Sequence, residues 1–213
     1  GYTEGSTGNT IQAFRIGTDG PLDAHEVISS GDNCLSCHRD LQFHGSHRRG
    51  YDNCLLCHVS SGAEDWPSHK PFAGNPTSGP DSPGLSIEFR EMIHKIHHGR
   101  NLDAGADYAI AGFRGSPHTY ELVGFPSFQG ETANCASCHG EGNTAWYEPT
   151  TRLHPDQDRL APQLTWRMVC GSCHDDRTAL SHIVANSAGD VEGCALCHGE
   201  GKELSVEVVH KNR

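Results

Sequence analysis

Five times along the chain, two cysteines stand three residues apart with a histidine directly after the second: Cys34 to His38, Cys54 to His58, Cys135 to His139, Cys170 to His174 and Cys194 to His198. These boxes consume all ten cysteines. Two cysteines at this spacing can add to the two vinyl groups of one porphyrin, and the adjacent histidine then lies under the iron. Structural zinc is the rival chemistry for paired Cys-x-x-Cys units, but it gives no reason for a histidine at one identical offset five times. Cys34, Cys37, Cys54, Cys57, Cys135, Cys138, Cys170, Cys173, Cys194 and Cys197 are therefore read as the attachment points of five haem c groups. His38, His58, His139, His174 and His198 are read as one axial ligand of each iron.

The rest of the composition needs those haems. Ile, Leu, Val and Phe supply only 38 of 213 residues, and the formal net charge is -11. A chain so poor in core formers and so charged falls towards the disordered range when taken alone. Five rigid, mostly apolar porphyrins, each tied to two cysteines and through its iron, would serve as the core. The expected fold is a multihaem cytochrome c: mostly irregular coil with short α-helices wrapped round a closely packed array of five haems, with little β. Ionised propionates make the assembled protein still more acidic, near a charge of about -16. A long basic stripe is absent, which argues against nucleic acid as a partner; the Arg48, Arg49 pair suits solvated surface or a haem propionate. No stretch approaches the length of a membrane span. The chain starts at Gly1 without a charged and then apolar leader, and is read as an exported protein in its mature form.

Successive first cysteines are 20, 81, 35 and 24 residues apart. Residues 1–213 are read as one pentahaem domain, with attachment clusters at 34–58 and 135–198 joined by a ligand-bearing segment, 59–134. Residues 71–84 are rich in proline and glycine and are expected to be irregular. Ile87, Met92, Ile93 and Ile96 then follow a helical period, with Ser86 as N-cap and Gly99 as the stop. At the end of the chain Leu204, Val206 and Val208 alternate as in a strand, but Val209 breaks the pattern and leaves the element undecided.

Eleven histidines remain after the boxes: His25, His44, His47, His69, His94, His97, His98, His118, His154, His182 and His210. Five irons need five more ligands, and the two methionines, Met92 and Met168, cannot supply them; Met168 is too near Cys170 to reach over that haem. Histidine at both axial positions lacks the potential-raising methionine, so low potentials are expected. His94 and His97, at i and i+3 on one face of the predicted helix, can serve two haems, with His98 as the substitute. His25 and His118 are further candidates; His47, His69 and His154 suit propionate partners or surface.

Several of these segments resemble the metal-reducing decahaem cytochromes of the OmcA/MtrC family. The first box followed by Phe43-His44-Gly45 and Arg48 is one, and Met92-Ile93-His94-Lys95-Ile96-His97-His98-Gly99 is the most specific. Phe125-Pro126 ahead of Asn134-Cys135, Cys170 to Asp175, His182, Cys194 to Gly199 and Val209-His210 also fit, so that the likeness covers roughly residues 30–211. It implies a pentahaem module with bis-histidine irons, whose distal ligands by position are His44, His94, His97, His182 and His210. Family members carry two such modules separated by β-rich domains, and often a lipid anchor; this sequence holds one module.

Three functional classes follow. The first is electron transfer through five bis-histidine haems, towards metals or other outer acceptors, with other redox proteins as partners and an extracellular or outer-surface location, periplasm being the alternative. The second is the repeating subunit of a conducting filament, self-assembled head to tail, in which His25 and His210 lie near the ends. The third is a multihaem reductase with an open iron site. A surplus of histidine argues against it, and no catalytic residue is assigned.

Overall fold

Loops joined by short helices and three small hairpins make up the described chain. In this computed structural model the described residues are Gln12, Phe14, 16–20, 29–45, 47–58, 87–105, 108–111, 117–125, 135–144, 165–188 and 191–211. The proline-rich run 71–84, Ser86, His25, His69 and His154 lie outside them. The chain divides into two compact units, Gly1–Leu56 with Cys135–Asn143, and Cys57–Asn134 with Thr144–Arg213.

In the first unit, helix α1 (Gly31–Leu35) starts at Ser30, whose hydroxyl accepts from the Asn33 N–H and satisfies one of the free donors of a helix start. A hairpin of β1 (Gln42–Phe43) and β2 (Arg48–Arg49) follows, antiparallel with Gln42 opposite Arg49. It leads into α2 (Tyr51–Cys54), where Tyr51 is buried and packs beside Gly31. Helix α4 (Ala136–His139) returns to α1. There the Asn33 amide and the Ser29 hydroxyl both donate to the Cys138 carbonyl, at 2.8 and 2.6 Å. The long segment 59–134 between the second and third boxes is thus no separation between the first and third, which are hydrogen-bonded neighbours.

The second unit is organised on α3 (Phe89–His98), the helix expected from its period. Its N-cap is Glu88, whose carboxylate accepts from the Arg90 and Glu91 N–H groups and pairs with the Arg90 side chain at 2.7 Å. Ile87, Leu102, Tyr108 and Ile110 form a small core, with Met92, Ile96 and Tyr120 packed against it. The core lies between α3 and the antiparallel hairpin of β3 (Ala109–Ala111) and β4 (Pro117–Thr119). Gly99 ends the helix as expected, but with a right-handed backbone that runs on into a single 3-10 turn, Gly99–Asn101. Glycine is needed there because a Cβ would run into the Tyr120 carbonyl. Gly99→Ala is expected to cost about 1–3 kcal/mol in chemical unfolding, as overpacking does; a wild-type unfolding free energy would show that the Tyr120 backbone yields freely at this point.

Helix α5 (Thr165–Gly171) packs on α3 and on α6 (Arg177–Ala185) and buries Trp166 and Met168. Its first N–H groups, on Trp166 and Arg167, are taken by the Glu192 carboxylate from the hairpin of β5 (Ser187–Ala188) and β6 (Val191–Glu192). Asp176 caps α6 by accepting from Thr178 and Ala179. After α7 (Ala195–His198) the undecided tail is α-helical, α8 (Val206–Lys211), and Ser205 caps it with its hydroxyl towards the Val208 N–H.

Candidate haem-ligand sites

One backbone turn recurs in four of the five boxes. The second cysteine donates its N–H to the carbonyl of the first, and the histidine does the same one residue later: His38 to Cys34 at 2.9 Å, His139 to Cys135 at 2.9 Å, His174 to Cys170 and His198 to Cys194 at 2.8 Å each. A single helical turn brings positions i, i+3 and i+4 to one side, so both sulfurs and the imidazole can address one planar group. The second box starts on the last residue of α2, and its His58 carbonyl accepts from the Phe89 N–H at the start of α3.

The imidazoles are held by one recurrent device. Nδ1 of His94 donates to the Arg90 carbonyl at 2.6 Å, Nδ1 of His97 to Ile93 at 2.9 Å, and Nδ1 of His210 to Val206 at 2.7 Å. Among the box histidines, Nδ1 of His58 donates to the Ile87 carbonyl and Nδ1 of His198 to Leu204, both at 2.8 Å. A carbonyl has no proton to give, so each bond fixes the proton on Nδ1 and leaves the Nε2 lone pair for a metal. Iron ligands need this outer-shell partner for orientation and basicity. The carbonyl partners were not read from the sequence, although three of them sit at i−4 from a histidine in the last turns of a short helix, a spacing that could have shown them.

Two pairs of histidine rings lie at about the separation expected of two ligands sharing one iron. The centroids of His174 and His210 are 6.1 Å apart and those of His182 and His198 6.2 Å apart, inclined by 63° and 90°. Two imidazoles on opposite sides of one iron, with metal–nitrogen bonds of about 2 Å, would have centroids roughly 6.4 Å apart. Each pair joins one box histidine to one candidate distal histidine. Nδ1 of His182 faces the Asn186 side chain at 3.4 Å rather than a carbonyl.

His44 stands in the β1–β2 turn with φ of +53°, the one non-glycine residue with positive φ among those described. Such a backbone costs on the order of 1 kcal/mol and persists where the surroundings demand it. His118 is exposed on β4 opposite Ile110, and His47 is exposed beside Gly45. His98 is half-buried, and burial holds its imidazole pKa down while Asp175 acts in the opposite sense. Neither methionine stands out as a ligand: Met168 is 4% exposed in the protein core and Met92 packs on the Ile87 cluster.

The donor set fits haem better than zinc. Burial pushes the Cys170 thiol up to about 12, reinforced by Cys194, Glu192 and Cys173. A histidine follows each cysteine pair at the same offset, which one haem per box uses and zinc does not require. Among the described residues, no three His, Cys, Asp or Glu side chains converge as a zinc cage requires.

Repeated Cys-x-x-Cys-His boxes, carbonyl-anchored imidazoles and a coil-rich fold of short helices point to a multihaem cytochrome. The profile of the outer membrane cytochrome MtrC/MtrF-like family, domains II/IV, matches residues 25–211, and the chain belongs to this family of electron-transfer proteins. Among solved structures, the crystal structure of the outer membrane decaheme cytochrome OmcA superposes with a TM-score of 0.54 at 27% sequence identity, over 89% of this chain and 24% of that one. This chain thus spans about a quarter of that protein. Comparison with curated proteins finds no match.

Proposed function

We propose that the chain carries electrons through five covalent c-type haems, each iron between two imidazoles, as a single pentahaem module at or beyond the outer cell surface. The observation that carries this reading is the two imidazole pairs, His174 with His210 and His182 with His198, each at about the separation of ligands sharing one iron. The haem of the fourth box then takes His210, and that of the fifth takes His182. His94, His97 and His44 supply the remaining distal positions; the first two have Nδ1 already anchored. Haem supplies the one-electron chemistry, and the polypeptide sets spacing, ligand orientation and burial.

The boxes themselves come close together in two places. The first and third are joined by the hydrogen bonds that Ser29 and Asn33 donate to the Cys138 carbonyl. The fourth and fifth are linked through Glu192, two residues ahead of Cys194, which accepts from the Trp166 and Arg167 N–H groups at the start of the helix that carries Cys170. Haems attached at such neighbouring boxes are within reach of direct electron exchange. Electrons leaving the module pass by outer-sphere transfer to other redox proteins or to metals outside the cell, as befits a relative of outer membrane cytochromes. No helix among the described residues is long and apolar enough to cross a membrane. Two filled imidazole pairs argue against a reductase at those two irons, and no observation on the described residues favours a filament.

The test is a redox titration of the mass-verified holoprotein combined with electron paramagnetic resonance. Expected are five haems per chain, all low-spin when oxidised, titrating in several overlapping steps well below the range of a His/Met cytochrome. A single high-potential transition, or a stoichiometric high-spin haem in the native protein, would overturn bis-histidine ligation.

A further inference from the structure

The Nδ1 bond holds His97 at one point of its ring, and a second restraint comes from a segment distant in sequence. The Phe125 ring meets His97 edge to face, centroids 6.4 Å apart and planes inclined by 65°. Phe125 follows a turn strapped to the end of α3. Arg100 donates its backbone N–H to the Val123 carbonyl at 2.8 Å and a guanidinium N–H to the Leu122 carbonyl at 3.2 Å. The Val123 N–H closes a turn on the Tyr120 carbonyl at 2.8 Å, where Gly99 allows the helix end to press close. Gly124 lies against the guanidinium, so that a Cβ would stand 3.0 Å from Arg100 Cζ. Helix end, turn and aromatic ring form one assembly that closes on a single imidazole.

We propose that Phe125 is a positioning residue for His97, and that the Arg100 strap holds it there to set the plane of that imidazole on its iron. This rests on the reading of His97 as an iron ligand. The angle of an axial imidazole plane governs how the iron d orbitals split, and with it the low-spin resonance and potential of that haem. A ring packed on one side of the imidazole also opposes the rocking that would release it. Aromatic contacts of this kind contribute enough that removing one raises the His97-off population roughly two- to tenfold.

The experiment uses the holoprotein and the variants Phe125→Ala, Phe125→Leu, Phe125→Tyr and Arg100→Met. Phe125→Ala and Arg100→Met are expected to displace the same low-spin resonance, that of one haem in five. Carbon monoxide should bind one reduced haem in those variants about two- to tenfold faster than in wild type, with the other four unchanged. Phe125→Tyr keeps the ring and should restore both signals; Phe125→Leu, which keeps bulk without an aromatic face, decides the matter if the alanine variant folds poorly. Wild-type resonances and carbon monoxide kinetics in Phe125→Leu and Arg100→Met would overturn the proposal. His97→Ala tests the underlying reading separately: if all five haems stay low-spin there, His97 is not the ligand and the failure lies in that assignment.

Discussion

His94→Ala in the holoprotein is expected to turn one of the haems high-spin and to lower the unfolding free energy by on the order of 3 kcal/mol, about a quarter of what a four-ligand structural metal contributes. The site cannot easily recruit a replacement. Met92 is committed to the Ile87 core, and His97, one turn away, has its own orientation fixed by the Ile93 carbonyl. His98 lies four residues on, half-buried with Asp175 acting on it. Lys95 is held by Glu91 at 2.7 Å with both side chains largely covered. Electron paramagnetic resonance of the oxidised variant is the check, and the double variant His94→Ala/His97→Ala should show twice the high-spin signal. A single variant that stays uniformly low-spin would remove His94 from the ligand set.

The boxes and α3 could be read in the sequence because the constraints that make them are local. Thioether chemistry demands a fixed spacing, and Met92, Ile93 and Ile96 at helical period announce α3, whereas Ile87 lies just ahead of it. Its ends show where local reading stops. Glu88 caps the helix from a position that is not a preferred cap residue, and Gly99 is required by the carbonyl of Tyr120, 21 residues away. In the tail the alternation of Leu204, Val206 and Val208 is broken by Val209 and decides nothing, and Ser205 starts a helix that puts His210 one turn above the carbonyl of Val206. Partner choice was illegible altogether. That His210 faces His174, or that Asn33 binds the third box, follows from how distant segments fold together, and no periodicity encodes it.

Without haem, the chain is expected to lose cooperative folding. The apolar side chains buried among the described residues are few, chiefly Leu41, Tyr51, Ile87, Leu102, Tyr108, Ile110, Trp166, Met168 and Ile183. Inside the boxes, by contrast, Leu35, Leu56 and Leu196 are 47%, 58% and 78% exposed on the polypeptide, apolar surface that a porphyrin joined to the flanking cysteines would cover. Iron bridges would also restrain the unfolded chain. A His174–His210 bridge closes a loop whose entropy is worth about 4 kcal/mol, and a His182–His198 bridge about 3 kcal/mol, by the relation for covalent cross-links. Both contributions vanish together when the ten box cysteines are changed to alanine. That variant should show little near-ultraviolet dichroism and a broad, non-cooperative urea profile, whereas the holoprotein unfolds sharply. A steep transition in the haem-free chain, with a slope appropriate to a 213-residue protein, would mean that the polypeptide builds its own core and that the haems are guests in it.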